Sequence, residues 1–162
     1  MCISKEIIDS YFKVDLETGV ITRKIIPGVR NFEKPVEGID KDGYINFLFK
    51  GKRYRAHRFI WFYATGSFPT KDIDHIDGNK THNAIRNLRE ATTFQNMQNL
   101  RKPLSNNKSG FLGVYLCKAS KKYYSQIKAG TIRKHLGYFN TPEEAYNAYI
   151  IEKRKLHPYC TI

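Results

Sequence analysis

Six consecutive residues, Asp74-His75-Ile76-Asp77-Gly78-Asn79, followed at intervals by Asn83, Asn87 and Asn96, constrain the fold of this chain more than any other stretch. Asp77-Gly78-Asn79-Lys80 has the composition of a tight turn, and Ile73 to Ile76 before it reads as the end of a short strand. A turn explains Asp77, Gly78 and Asn79 but requires neither the histidine nor the later amides. A carboxylate, an imidazole and amides at this density point instead to a single-metal nuclease centre. Hydrolysing a phosphodiester takes a water deprotonated near neutral pH and a cation on the scissile phosphate and leaving oxygen. His75 is the candidate base, because imidazole titrates near about pH 6.5. Asp74 is a hard oxygen donor suited to Mg²⁺, and Asn96 adds a neutral amide oxygen 22 positions on (96 − 74). One carboxylate and one amide leave most of the coordination shell to water and phosphate, so one Mg²⁺ or Mn²⁺ per active site is expected.

These groups have to be brought together. Thr92 or Thr93 can cap a helix running through Asn96 to about Leu100, so that strand, loop, returning segment and helix make a ββα unit. On a regular strand Asp74 and His75 point to opposite faces. A bend in the backbone is therefore expected there, with Asn87 hydrogen-bonded to the bent main chain and holding the imidazole. His82 reads as a solvated loop residue, and His57 as a structural histidine hydrogen-bonded beneath the site. Arg86 and Arg89 flank Asn87, and Arg89 is favoured as a structural or phosphate-binding group.

Asp74-His75-x-Asp77-Gly78-Asn79, with Asn83, Asn87-Leu88-Arg89 and Asn96 after it, resembles the His-Asn-His (HNH) endonuclease motif in its phage homing-endonuclease form. The likeness runs over about residues 57 to 99. It implies His75 as general base, Asn87 as the residue orienting it, Asp74 and Asn96 as metal ligands, and products with 5′-phosphate and 3′-hydroxyl ends. Asn96 stands where the family name has its last histidine, a variant that the homing subgroup tolerates.

The charge of the chain agrees with a polyanionic partner. Formal net charge is +13, and it is unevenly spread: residues 1–100 hold 16 Lys/Arg against 12 Asp/Glu, while 101–162 hold 12 against 3. The C-terminal third is thus the more obvious phosphate-binding part. Hydrophobic residues at 41% and aromatics at 14% suffice for folded cores, which excludes a disordered basic tail. Cys2, Cys117 and Cys160 lack any CxxC spacing, so neither a structural zinc nor a disulfide framework is expected. With no secretory pattern and no apolar run of membrane-spanning length, a cytoplasmic location in a bacterial or phage-infected cell is expected.

Ahead of the motif, a helix is predicted from Ser4 or Lys5 to Tyr11, then a turn and short strand over 17–22 and an irregular loop over 26–41. Residues 43–57 read as a hairpin around Lys50-Gly51. On its second strand Arg53 and Arg55 form a basic, candidate DNA-binding face opposite Tyr54 and Ala56. His57 to Thr65 follows as a helix ended by Gly66, with Trp61 in or beside the core.

Residues 101–108 have linker composition, and beyond them the pattern changes. Gly113–Cys117, Tyr123–Ala129 and Ile132–Phe139 read as strands. Thr141-Pro142-Glu143-Glu144 opens a helix to about Leu156, with Thr141 as cap and acids in the first turn. Alternation puts Tyr123 and Ile127 on the face that the helix covers with Ala145, Ala148 and Tyr149. Tyr124, Gln126 and Lys128 fall on the open face, free to lie in a major groove. From Ser109-Gly-Phe-Leu-Gly-Val-Tyr to Leu136-Gly-Tyr-Phe-Asn-Thr-Pro-Glu-Glu-Ala-Tyr, this stretch is similar to the plant ethylene-response-factor (APETALA-type) DNA-binding domain. Carried over position by position, that likeness implies sheet contacts by Tyr115, Gln126, Lys128, Arg133 and His135. The family has arginine and tryptophan at several of these positions, so its target sequence does not carry over.

The expectation is an α+β chain: a nuclease domain over 1–100, a linker over 101–108, and a three-stranded antiparallel sheet packed on one helix over 109–162. Its function would be metal-dependent hydrolysis of double-stranded DNA at a specific site, as in a free-standing homing endonuclease, with neither a membrane nor a small molecule as partner. The alternative is a non-catalytic DNA-binding regulator on a vestigial nuclease fold.

Overall fold

Ser4 starts the first element by accepting a hydrogen bond from the Ile7 amide at 3.4 Å, which caps α1 (Lys5–Tyr11). In the computed structural model, which describes residues 3–25, 33–103 and 107–162, α1 runs directly into β1 (Phe12–Asp15). Asp15 accepts from the amides of Glu17 and Thr18 and turns the chain into β2 (Val20–Arg23), which pairs antiparallel with β1 in the register Phe12↔Arg23 to Asp15↔Val20. Residues 26–32 of the expected irregular loop lie outside the described residues. The described part holds a strand of two residues, β3 (Lys34–Pro35), at the edge of the same sheet, where a proline can sit because no donor is needed on the outer side. The following Val36 amide bonds to Ile21 O at 2.8 Å.

The hairpin forms where its alternation predicts it, as β4 (Asn46–Phe49) and β5 (Lys52–Arg55). Lys50 and Gly51 both take positive φ, 48° and 77°, the twist that suits a two-residue hairpin turn. Then α2 (Ala56–Thr65) runs to Gly66, whose amide bonds to Phe62 O. Phe59, Ile60 and Phe62 on α2 meet Phe12, Phe47 and Phe49 in one core with Ile8, Ile21, Ile73 and Leu88. Phe12 lies edge-to-face with Phe47, Phe49 and Phe59 at centroid separations of 5.3, 5.0 and 5.7 Å. Trp61 is packed half-buried against this core. Arg58 donates to Pro69 O at 3.0 Å and Lys71 O at 3.2 Å, tying α2 to the chain that enters β6 (Asp72–His75). A 3₁₀ turn (Ile85–Asn87) returns the chain to β7 (Leu88–Ala91), antiparallel to β6, and α3 (Thr93–Gln98) follows.

The chain divides into two compact units, Met1–Thr93 and Phe94–Ile162. Residues expected to close the nuclease segment are clasped inside the second unit. Tyr159 N donates to Gln98 Oε1 at 3.4 Å, Thr161 Oγ1 to Asn99 Oδ1 at 2.7 Å, and Lys153 Nζ to Leu100 O at 2.6 Å. Helix α3 accordingly stops at Gln98 instead of reaching Leu100. Of the expected linker, 104–106 lies outside the described residues.

In the second unit β8 (Val114–Leu116), β9 (Tyr123–Ala129) and β10 (Ile132–Phe139) form an antiparallel sheet in the order β10-β9-β8. α4 (Pro142–Leu156) starts from a capping box in which Thr141 and Glu144 satisfy each other's amides, with Pro142 in the first turn. Ala145 and Tyr149 of α4 are buried with Val114, Ser125 and Ile127 of the sheet. Lys153 is also buried, at 1% exposure, and burial holds its pKa below the ordinary lysine value.

Candidate active site and nucleic-acid interface

Strand β6 stays regular through both Asp74 and His75. Asp74 pairs with Arg89 and His75 with Leu88, and the ladder continues one residue further through Ile76 N to Asn87 O at 2.8 Å. The expected bend between Asp74 and His75 is absent; the chain turns only after His75, where Gly78 N bonds to His75 O at 2.8 Å. Asp74 and His75 therefore fall on opposite faces of the strand, and both are buried, at 5% and 4% exposure.

The loop between the strands is held by its own side chains. Asp77 Oδ1 accepts from Asn79 N at 2.8 Å, and Asn79 Oδ1 accepts from Thr81 N at 3.1 Å and Thr81 Oγ1 at 2.8 Å. Asn87 closes it. Its Oδ1 accepts from Asp77 N at 3.0 Å, and its Nδ2 donates to Asp77 Oδ1 at 2.9 Å and His82 O at 2.7 Å. So Asn87 does bind the main chain just past the histidine, as its placement suggested. His82 is partly exposed, and its Nδ1 is paired with Asp77 Oδ2.

His75 sits in a polar and aromatic pocket. Its Nε2 lies 3.0 Å from Asn83 Oδ1. Its ring meets His57 edge-on at a centroid distance of 5.1 Å and lies 6.0 Å from Tyr44. Burial pushes the His75 pKa below the ordinary imidazole value, while the Asn83 contact and Asp77 act in the other direction. His57 is under the site, as expected, but its buried Nδ1 has no hydrogen-bond partner among the described residues, so the expected structural bond is not made there. Burial, followed by the neighbouring His75, takes the His57 pKa down to about 3. Tyr44 carries two cations over its ring, Arg55 at 4.4 Å and Lys80 at 4.8 Å. It lies 31 residues before His75 (75 − 44), outside any motif, so nothing in the sequence marks it.

Asp74 Oδ2 accepts two bonds from Arg89, from Nε at 2.9 Å and Nη2 at 2.7 Å. Arg89 is therefore bound to the acid beside the candidate base. Asn96 lies on α3, in the second unit. A carboxylate and an amide oxygen are hard donors that fit Mg²⁺ or Mn²⁺. Among the described residues, no group of three or more His, Cys, Asp or Glu could hold a metal ion. The other basic candidates of this unit have internal partners as well: Arg53 donates to Asn46 Oδ1 at 2.8 Å, and Arg55 pairs with Asp40 at 3.3 Å and Asp42 at 2.8 Å.

The second unit presents a different surface. Register puts Tyr115 opposite Tyr124, Gln126 opposite His135 and Lys128 opposite Arg133, so all six expected residues share the face away from α4. A bulge between His135 and Gly137 shifts the alternation of β10 and brings Tyr138 opposite Tyr124 on that same face. Gly137 takes φ +122° there. The rings form a contiguous cluster: Tyr115 stacks on Tyr124 at 5.3 Å, Tyr138 lies 6.0 Å from Tyr124, and His135 lies 5.0 Å from Tyr138. Strict alternation would send Tyr138 to the helix side; Gly137 is the residue that could have signalled otherwise.

Residues 54–98 match the family model described as HNH endonuclease. The chain is similar to "Protein 3.8" of Escherichia phage T7, 37% identical over 79 residues that make up 48% of this chain and 64% of that protein. It is also similar to "Uncharacterized HNH endonuclease L560" of Acanthamoeba polyphaga mimivirus, 32% identical over 120 residues, 73% of this chain and 60% of that one. Both matches span less than two thirds of the relative's length. A solved structure described as "DNA binding and cleavage by the HNH homing endonuclease I-HmuI" aligns over 90% of this chain and 80% of that one at 23% identity, with a TM-score of 0.42. Among the described residues no helix is long and apolar enough to cross a membrane. The segment that matches the HNH endonuclease family model, residues 54–98, carries Asp74, His75, Asn83, Asn87 and Asn96.

Proposed function

We propose that this chain is a metal-dependent DNA endonuclease, in which His75 takes a proton from the attacking water and the open sheet face of the second unit holds double-stranded DNA at a defined site. One observation carries the reading: a buried imidazole, kept from protonating by burial and tied at Nε2, follows a buried carboxylate on one strand of a segment matching the HNH endonuclease family. A base of lowered pKa is in its working, neutral form at neutral pH. When bound, Mg²⁺ or Mn²⁺ would supply charge stabilisation to the scissile phosphate and leaving oxygen, and Asp74 is the residue of the first unit that would hold it. Arg89 orients Asp74 through its two bonds, and Asn87 keeps the loop after His75 in shape.

Affinity would come from the ethylene-response-type sheet. Tyr115, Tyr124, Gln126, Lys128, Arg133 and His135 lie together there, and the only acids of residues 101–162, Glu143, Glu144 and Glu152, are all on α4. A free-standing homing enzyme is the biological role that combines such a targeting face with an HNH centre.

The test is conversion of supercoiled plasmid carrying a phage or host target region, in Mg²⁺ and in EDTA, with wild type and His75→Ala. Nicked or linear product that needs both Mg²⁺ and His75, with DNA binding unchanged in the variant, is expected. General-base loss lowers the rate by about 10²- to 10⁴-fold. Binding without cleavage in any divalent metal would replace this reading with that of a DNA-binding regulator.

A further inference from the structure

A histidine that takes a proton from water must present a bare ring nitrogen, and neutral imidazole has one bare nitrogen and one carrying hydrogen. The hydrogen bond made by one nitrogen decides the state of the other. His75 Nε2 lies 3.0 Å from Asn83 Oδ1, and Asn83 is buried at 1% exposure. An amide oxygen only accepts, so in this contact Nε2 is the nitrogen that carries hydrogen and Nδ1 the one that does not.

Asn83 owes its position to the N-terminal hairpin, a part of the chain outside the matched segment 54–98. Gly19, in the β1–β2 turn, takes φ +74°, and a Cβ built there would lie 2.1 Å from the carbonyl carbon of Asn83 and 2.3 Å from Ala84 N. Real side chains cannot approach backbone so closely, so only glycine lets the turn press against this residue. Two residues on, Ile85 N donates to Leu16 O at 2.9 Å, which pins the same segment from the other end of the turn. Asp15 in turn holds the hairpin by accepting from the amides of Glu17 and Thr18.

We propose that Asn83 is the positioning residue that fixes the tautomer of His75, and that the N-terminal hairpin, through Gly19, sets where Asn83 stands. The catalytic meaning of this device rests on the nuclease reading; the tautomer itself does not. It assigns to Asn83 the orienting task that family resemblance gives to Asn87, and leaves Asn87 to shape the loop.

The experiment is ¹⁵N-edited NMR of the histidine rings in the full chain at about pH 8, where an unperturbed imidazole is neutral. The five histidines are assigned by difference with His75→Gln. Wild type is expected to show His75 as the Nε2–H form. Asn83→Leu, of similar size without an acceptor, loses that form, whereas Asn83→Asp, which keeps an acceptor oxygen, retains it. Gly19→Ala moves the same signal towards the Asn83→Leu pattern. In parallel, Asn83→Leu lowers kcat on plasmid by on the order of 10²-fold with KM for DNA unchanged, since the wrong tautomer removes the base and not the binding face. A His75 that carries hydrogen on Nδ1 in wild type, or keeps the Nε2–H form in Asn83→Leu, overturns the proposal. If wild type cleaves nothing in any divalent metal, the nuclease reading falls while the ring signals still decide the role of Asn83.

Discussion

The HNH segment and the second-unit sheet both concentrate polar side chains, yet they use them in opposite ways. Around His75 the buried Asp74, Asn83 and Asn87 are already engaged: Asp74 with Arg89, Asn87 with Asp77 and His82, Asn83 with His75. On the sheet, Lys128, Arg133 and Tyr138 are exposed, Tyr138 by 60%. Among the described residues, neither the Lys128 ammonium nor the Arg133 guanidinium has an ion pair. Catalytic groups must be fixed before substrate arrives, because fixed dipoles cost nothing to reorganise at the moment of reaction. Binding groups must keep their hydrogen-bonding capacity for the partner. In the first unit, by contrast, Arg53, Arg55 and Arg89, all basic candidates in the sequence, have internal partners.

This contrast can be broken most directly at Arg89. Arg89→Ala removes two charge-assisted bonds from a carboxylate that is 5% exposed, and about 3 kcal/mol of stability is expected to go with them. Urea denaturation of the variant checks this; a loss below about 1 kcal/mol, the range of a surface pair, would mean that the site is not preorganised as described.

A second expectation sharpens it through pH. His57 is neutral when folded down to about pH 3, whereas the unfolded chain protonates it below about pH 6.5. Between those values the unfolded state binds the extra proton, so stability falls as pH falls, by about 1.4 kcal/mol per pH unit for this one group. Thermal or urea unfolding from pH 4 to pH 7 should show a shallower slope for His57→Phe than for wild type. Equal slopes would remove His57 from the buried neutral class.

The smallest effects belong to the binding surfaces. Lys128→Ala and Arg133→Ala should each lower the slope of log K against log salt by about 0.9 and leave kcat at saturating DNA unchanged. Arg55→Ala, whose charge is already met by Asp40 and Asp42, should move that slope by much less. Fluorescence anisotropy at several salt concentrations separates the two outcomes, and a larger change for Arg55 would reverse the assignment of the binding face.

Most elements were legible because their signals are local. Ser4 and Thr141 cap helices, Lys50-Gly51 turns a hairpin, and Ile73 and Leu88 mark strands by alternation. The loop after His75 was legible for the same reason: Asp77 and Asn79 accept from amides two residues on, and Gly78 N bonds to His75 O three residues back. Errors arose where a residue's partner is distant in sequence. The bend expected between Asp74 and His75 came from requiring both side chains at one site, whereas β6 stays regular, with Arg89 against Asp74 and His57 against His75. Helix α3 stops early because Gln98, Asn99 and Leu100 are taken by residues 153–161, some 50 to 60 positions further on.

From the order of residues alone came the chemistry: a carboxylate followed by an imidazole, a turn, asparagines at set intervals, and a basic C-terminal third. Periodicity and capping, which depend on contacts within a few residues, made the secondary structure readable as well. Only the folded chain decided which asparagine meets the imidazole, which arginines remain available, and that Tyr138 joins the open face. Each of those depends on long-range approach or on a one-residue slip in register. Spacing along a chain does not encode such distances, because they are set by packing within each unit and, on β10, by the bulge.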